Sequence, residues 1–106
     1  MIGGNQINEN QIPRTEGSLA GETAGSVSYR QINLGGVKIV ILYFDGYEND
    51  TTTNKSITFP IAFVNAPTVE VGNSTLPTLS ASTTTLTITA PDATTVYSGT
   101  AVVIGV

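Results

Sequence analysis

The sequence predicts an all-β protein, an antiparallel six-stranded β-sandwich. Threonine occupies 17 of the 106 positions, and its branched side chain fits a pleated strand surface and disfavours helix. Short segments in which apolar and polar residues alternate are separated by turn-forming residues, at intervals that suit a sandwich or barrel. No segment has helical periodicity, and the 5 prolines and 11 glycines discourage one.

Six segments are predicted as strands, each bounded by turn signals. The predicted strands cover residues 27–32, 37–47, 56–61, 68–72, 84–90 and 98–106. Residues 79–82 are a further candidate, either an edge strand or a loop. The turn signals are Gly35-Gly36, the polar tract 48–55, Asn65-Ala66-Pro67, Gly72-Asn73-Ser74 and Pro91-Asp92.

Residues 1–25 differ in composition from the rest of the chain. They are rich in Gly, Asn, Gln and Glu, and their apolar residues are isolated at Ile2, Ile7, Ile12 and Leu19. We predict a linker or stalk remnant here, followed by one β-sandwich head domain over residues 26–106. A flexible tail is the alternative, because isolated isoleucines bury too little area to offset the entropy of ordering the backbone.

The charge balance excludes two classes of partner. The net charge is −4, and the only cations are Arg14, Arg30, Lys38 and Lys55, which are scattered along the chain. Nucleic acids and anionic membrane surfaces both require clustered positive charge. No secretory signal follows Met1, and the longest apolar run is far shorter than a membrane span. The sequence therefore predicts no nucleic-acid partner and no membrane insertion.

The side chains needed for most catalytic chemistry are absent. The sequence contains no His and no Cys, which excludes Ser-His-Asp and Cys-His mechanisms and most zinc sites. Asp45, Glu48 and Asp50 cluster in sequence and could in principle form a glycosidase pair or a calcium loop. A solvated loop is the preferred interpretation of these acids, so we predict no enzymatic activity, no cofactor and no metal.

Two strands are apolar on both faces, which predicts an oligomer interface. In residues 84–90, Leu86 and Ile88 alternate with threonines, as in a strand with one buried face. In the longest strand, by contrast, both alternating sets are apolar. We expect Val37, Ile39, Ile41 and Tyr43 to face the core. The predicted oligomer interface comprises Val40, Leu42, Phe44, Val102 and Ile104. A monomer in which these strands are central is the alternative.

A saccharide site is predicted where aromatic and polar residues occur together. Sugars bind to an aromatic ring on their C–H face and to amide, carboxylate or hydroxyl groups through their own hydroxyls. The alternative is that these tyrosines belong to the core or an interface. The predicted ligand-binding residues are Tyr47, Glu48, Asn49, Asp50, Asn73 and Tyr97.

Residues from Gly17 to the C-terminus resemble the receptor-binding head domain at the C-terminal end of phage and prophage tail-fibre proteins. The resemblance rests on Tyr29 and the polar pair after it, the strand over residues 38–43, the turn Gly46-Tyr47-Glu48-Asn49, and ITFPIAF at residues 57–63 followed by Ala66-Pro67. The last stretch is also similar to H-type lectins, which are six-stranded sandwiches that form trimers.

The resemblance implies a homotrimeric knob at the tip of a fibre on the virion, acting outside the cell by binding a host cell-surface glycan. A structural trimerisation and capping knob with no ligand of its own is the alternative. Two departures limit what is carried over. Ala101-Val102-Val103 stands where many such heads have an aromatic residue, and the His-x-His repeats that hold metal in fibre stalks are absent.

Overall fold

A computed structural model describes residues 14–21, 24–48, 54–72, 76–89 and 96–106. The described residues form eight strands and no helix, which confirms the predicted all-β class. The strands are β1 (Arg14–Ala20), β2 (Ala24–Leu34), β3 (Val37–Glu48), β4 (Lys55–Thr58), β5 (Thr68–Val71), β6 (Leu79–Ala81), β7 (Thr85–Ile88) and β8 (Tyr97–Gly105).

The strands form two antiparallel sheets. The large sheet has five strands in the order β1-β2-β3-β8-β5, and the small sheet has three in the order β4-β7-β6. The chain passes from the large sheet to the small one after β3, returns for β5, and returns again for β8. The two sheets share one apolar core, and this arrangement is the two-layer sandwich that the sequence predicts.

The number of strands differs from the prediction of six. Each predicted strand is present, and residues 79–81 form a short edge strand of the small sheet. The additional strand is β1, which lies inside the segment predicted to be a linker and pairs with β2 from Arg14↔Ile32 to Ala20↔Ser26. Residues 1–13 lie outside the described residues. Backbone pairing to β2 and the packing of Leu19 against the core order this segment.

A two-residue turn at Gly35-Gly36 joins β2 to β3. Both glycines have positive φ, 58° and 95°, as a tight hairpin turn of the primed type requires. The turn sets a register in which Leu34 lies opposite Val37 and Gln31 opposite Val40. The resulting hairpin is the longest pairing in the molecule, and it forms the centre of the large sheet.

The core lies between the inner faces of the two sheets. From the large sheet, β3 contributes Val40, Leu42 and Phe44, all fully buried. From the small sheet, Leu86 and Ile88 are also fully buried, as the alternation in that strand predicts. The other buried apolar residues are Val27, Tyr47, Ile57, Phe59, Phe63, Ala101 and Val103.

The loop over residues 59–64, here called the bridging loop, connects the two sheets. Its Phe59 and Phe63 amides donate to the Thr84 and Thr83 carbonyls beside the small sheet, each at 2.8 Å. The Val64 amide donates to the Val106 carbonyl at the end of the large sheet, at 2.7 Å. The Phe59 and Phe63 rings pack edge to face, 5.0 Å apart, and close one side of the core.

Gln31 anchors the bridging loop to the middle of the large sheet. Its side-chain Nε2 donates to the Ile61 carbonyl, and its Oε1 accepts from the Ile61 amide, both at 2.8 Å. The side-chain amide thus pairs with Ile61 as a neighbouring strand would. Gln31 is completely buried, and both bonds are needed because a buried amide without partners is costly.

We predict that Gln31→Leu lowers the free energy of unfolding by about 2–3 kcal/mol, because it leaves the Ile61 amide and carbonyl without their partner. Urea denaturation measures this as a lower midpoint at unchanged slope. Ser28→Ala, at an exposed position of the same strand, is the matched control and should change stability by less than about 0.5 kcal/mol. Equal midpoints for Gln31→Leu and the control would contradict the assigned role.

Candidate functional site

A β-bulge near the end of β3 determines where the predicted binding residue Tyr47 lies. Between Phe44 and Tyr47, two residues of β3 stand opposite the single residue Ser98 of β8. The extra residue is Gly46, whose positive φ of 61° suits a bulge. The Gly46 amide donates to the Ser98 hydroxyl at 3.0 Å.

The bulge turns Tyr47 into the core. In a regular strand, Tyr47 would share the face of Tyr43, which is exposed. With one extra residue it instead joins Phe44, and the two rings pack edge to face with centroids 5.8 Å apart. Tyr47 is completely buried, so its ring has no surface for a sugar, and the prediction that it binds ligand is wrong.

The other predicted binding residues are described only in part. Glu48 ends β3 and pairs with Ala24, and it is half-buried. Tyr97 begins β8 opposite Tyr47 and packs against the core. These two positions share one end of the large sheet. Asn49, Asp50 and Asn73 lie outside the described residues.

The predicted oligomer interface is wrong for its three β3 residues. Val40, Leu42 and Phe44 are 0% exposed within the single chain because the small sheet covers them. The faces of β3 are therefore exchanged relative to the prediction. The other two predicted residues, Val102 and Ile104, lie on the opposite face, where Ile104 is 40% exposed.

Two charged residues of β3 give opposite indications of which face is exposed. Lys38 lies on the same face of the strand as Val40, Leu42 and Phe44, and its charge suggests that this face is exposed to solvent. In the structure, Lys38 is buried with them. Asp45 shares the phase of Ile41 and is exposed. Asp45 was therefore the sequence signal that could have identified the correct face.

The face of the large sheet turned away from the small sheet, here called the outer face, carries the exposed side chains of the central strands. Residues directly opposite each other in paired strands share a face, so Ile41 and Tyr43 join Arg30 and Ser28 of β2 there. Neither residue was predicted as a site residue: Tyr43 was assigned to the core, and Arg30 was counted only among the scattered cations.

An open depression of about 490 Å³ lies on the outer face between β1, β2 and β3. We call it the Tyr43 depression, after its most prominent side chain. Tyr43 is 53% exposed, and it stands beside two small residues, Ser18 and Ser28, that leave room above the strands. The lining residues are Glu16, Gly17, Ser18, Ser28, Tyr29, Arg30, Ile41 and Tyr43.

One side of the Tyr43 depression is charged. The Arg30 Nε lies 3.1 Å from the Glu16 Oε1, and both side chains are about half exposed, at 51% and 55%. The pair therefore presents hydrogen-bond donors and an acceptor to solvent beside an aromatic ring. Such a surface can bind a polar ring compound through stacking and hydrogen bonds.

Gly17 allows the Tyr29 ring to cross the edge strand β1 on the other face. Gly17 lies opposite Tyr29, and a Cβ added to Gly17 would come within 2.3 Å of the Tyr29 hydroxyl oxygen. The aromatic ring covers the glycine, which is a known way of stabilising a glycine in an edge strand. This contact fixes β1 as one wall of the Tyr43 depression.

The described residues hold no group of three or more His, Cys, Asp or Glu side chains that could bind a metal ion. None of the elements described is a helix of the length and apolar character that crosses a membrane. Comparison with protein-family models, with curated proteins and with solved structures finds no match.

We predict that aspartate lowers the free energy of unfolding by very different amounts at two neighbouring positions. Leu42→Asp places a charge in the core and should cost at least about 4 kcal/mol, most of the stability of a marginally stable domain. Ile41→Asp, on the outer face, should change the free energy of unfolding by less than about 1 kcal/mol. Circular dichroism during thermal unfolding tests both. Equal melting temperatures for Leu42→Asp and Ile41→Asp would contradict the assignment of faces.

We predict a second contrast at the bulge, between two glycines with positive φ. A Cβ at Gly25 would lie 2.1 Å from the Gly46 carbonyl oxygen, whereas a Cβ at Gly46 would meet nothing closer than Val96 Cγ1 at 4.0 Å. Gly46→Ala should therefore cost only its backbone strain, about 1–2 kcal/mol. Gly25→Ala adds a clash with backbone and should cost at least about 3 kcal/mol. Chemical denaturation measures both, and equal losses would contradict the bulge geometry.

Proposed function

We propose that the chain is the receptor-binding head of a phage tail fibre, located on the virion, which binds a host cell-surface saccharide without chemistry. Three observations support this: the resemblance carried by ITFPIAF and its neighbours, the two-sheet fold, and the absence of His and Cys from the whole sequence. The observation that carries the choice of ligand is the Tyr43 depression.

The residues of the Tyr43 depression match what a sugar ring requires. Tyr43 offers an exposed ring face for the C–H side of a pyranose. Arg30 donates hydrogen bonds, Glu16 accepts them, and the serine hydroxyls do both. Its volume of about 490 Å³ is within the usual range for small-molecule sites, and its open, shallow shape suits one residue of a longer polysaccharide that continues along the surface.

The proposed saccharide site lies on the outer face and not at the residues predicted from the sequence. Tyr47 is withdrawn because it is buried. Glu48 and Tyr97 stay candidates for a secondary contact at the end of the sheet, but Tyr97 is half-buried, whereas Tyr43 is exposed.

A purely structural knob, which assembles and caps a fibre without a ligand, is the second candidate. The observation that favours it is the exposed apolar surface of β3 and β8, where Ile41 and Ile104 are 38% and 40% exposed. Such a surface suits contact with another protein chain rather than with a sugar. The two candidates make different predictions for carbohydrate binding.

We predict that the full chain binds a host-wall polysaccharide and that Tyr43→Ala weakens this binding by about tenfold or more, because it removes the stacking surface. A glycan array and titration of the best polysaccharide by biolayer interferometry measure the effect. Val64→Ala, at an exposed loop residue outside the depression, is the control and should bind as the unmutated chain does.

The same experiment separates the candidates. Unchanged affinity of Tyr43→Ala would place any saccharide site elsewhere. A chain that binds no host polysaccharide and does not block adsorption of the phage would contradict the receptor-binding proposal and support the structural knob. The mass of Tyr43→Ala in solution should equal that of the unmutated chain, which excludes loss of binding through altered assembly.

A further inference from the structure

The peptide bond between Asp45 and Gly46 combines the features of a site of spontaneous backbone modification. It joins the one Asp-Gly pair in the sequence, and no Asn-Gly pair occurs. Asp45 is exposed, so water has access to its carboxyl group. Gly46 has no side chain that would hinder the approach of this carboxyl group to the Gly46 nitrogen. A carboxyl group and a backbone nitrogen in this relation can close a succinimide ring.

The modification is a cyclisation followed by hydrolysis. The Gly46 nitrogen attacks the Asp45 Cγ, so that the N–Cγ bond forms and the bond from Cγ to the carboxyl hydroxyl breaks. The hydroxyl leaves as water together with the amide proton, and the product is a succinimide. Water then opens the ring at one of its two carbonyl carbons. Opening at Cγ restores aspartate, whereas opening at the main-chain carbonyl gives isoaspartate, in which the chain runs through Cβ and Cγ.

The folded structure restrains both reacting groups. The Gly46 amide donates to the Ser98 hydroxyl at 3.0 Å, and the nitrogen must give up this bond before it attacks. Asp45 is paired with Ser26 in the regular part of the strand, and ring closure requires a main-chain rotation out of the extended conformation. The reaction therefore proceeds from a locally opened state of the bulge.

We propose that the Asp45–Gly46 bond is a modification site, at which aspartate converts through a succinimide into isoaspartate. Ser98 is the positioning residue that slows this conversion, because its hydroxyl holds the attacking nitrogen in place. The reaction needs water and no other reactant. The modification goes beyond the proposed function, because its chemistry is the same whether or not the chain binds a saccharide.

Isoaspartate at residue 45 would lengthen the backbone beside the bulge. Gly46 already adds one residue here, and that residue sets the phase in which Tyr47 turns into the core beside Phe44. A further backbone carbon changes this phase. Because Tyr47 is completely buried, we expect the modified chain to lose core packing and to unfold at a lower urea concentration than the unmodified chain.

Peptide mapping by mass spectrometry measures the modification at each position of the full chain. The protein is incubated at physiological temperature in water labelled with heavy oxygen, and each ring opening adds one labelled oxygen atom. We expect labelled isoaspartate to accumulate slowly at residue 45 of the unmutated chain. Ser98→Ala should raise the rate by about fivefold, because one hydrogen bond no longer holds the nitrogen.

Three variants serve as controls. Ser98→Thr keeps the hydroxyl group and should react at the unmutated rate. Thr100→Ala removes a hydroxyl group from another exposed position of β8, and it should also leave the rate unchanged. Asp45→Glu keeps the charge but would have to close a larger ring, so it should yield no labelled product at this position.

Unfolding the chain separates the effect of the fold from that of the local sequence. In concentrated urea the bulge and its hydrogen bond are lost. The unmutated chain and Ser98→Ala should then form isoaspartate at residue 45 at the same rate, and faster than either does when folded.

Three results would overturn the inference. The first is a Ser98→Ala chain that reacts no faster than Thr100→Ala, or a Ser98→Thr chain that reacts as fast as Ser98→Ala. The second is a difference between Ser98→Ala and the unmutated chain that persists in urea. The third is the absence of isoaspartate at residue 45 from every folded chain after the unfolded chain has reacted. None of these results depends on carbohydrate binding, so failure here is distinct from failure of the saccharide proposal.

Discussion

The pairing of the Gln31 side chain with the Ile61 backbone is the constraint on which the two-sheet arrangement depends. Gln31 lies in the middle of the large sheet and holds the bridging loop over the sheet's inner face. The same loop bonds to the β6–β7 turn of the small sheet and to the end of β8. A buried side-chain amide needs a partner for both its N–H and its carbonyl group. The two bonds between Gln31 and Ile61 therefore stabilise one position of the bridging loop over the sheet. That position places the packed Phe59 and Phe63 rings over the core and brings their amides to the Thr84 and Thr83 carbonyls beside the small sheet.

Among the described residues, the small sheet packs on the inner face of the large sheet only, and the exposure of the outer face underlies the proposed function. The part of the chain that the structure describes contains one small sheet, which covers one side of the central strands. The outer side has an apolar half, with Ile41 and Ile104 partly exposed, and a polar half around Tyr43, where we propose that a sugar binds. Arg30 lies at the boundary between the halves, where it pairs with Glu16 and its side chain stays half exposed.

The fold could be predicted from the sequence more fully than the site. Alternation in residues 84–90 identified Leu86 and Ile88 as buried because only one face of that strand is apolar. In the longest strand, alternation could not identify the buried face, because both faces are apolar. The charge of Lys38 suggested that its own face is exposed, whereas that face is buried. β1 was missed because Leu19 is the one large apolar residue among polar and small ones, so its sequence shows no apolar–polar alternation, and backbone bonds to β2 leave no signal in the sequence. Tyr47 was misplaced because a single extra residue, Gly46, reverses the phase of the strand.

The sequence by itself determined the all-β class, the positions of most strands, the turn at Gly35-Gly36 and the lack of histidine and cysteine chemistry. These are local properties, set by side-chain branching, period-two alternation and the backbone freedom of glycine. Only the tertiary structure decided which face of β3 is buried and which residues meet in the Tyr43 depression. That decision depends on where the small sheet and the bridging loop lie, and contacts between residues far apart in the chain leave no periodic signal within any one strand.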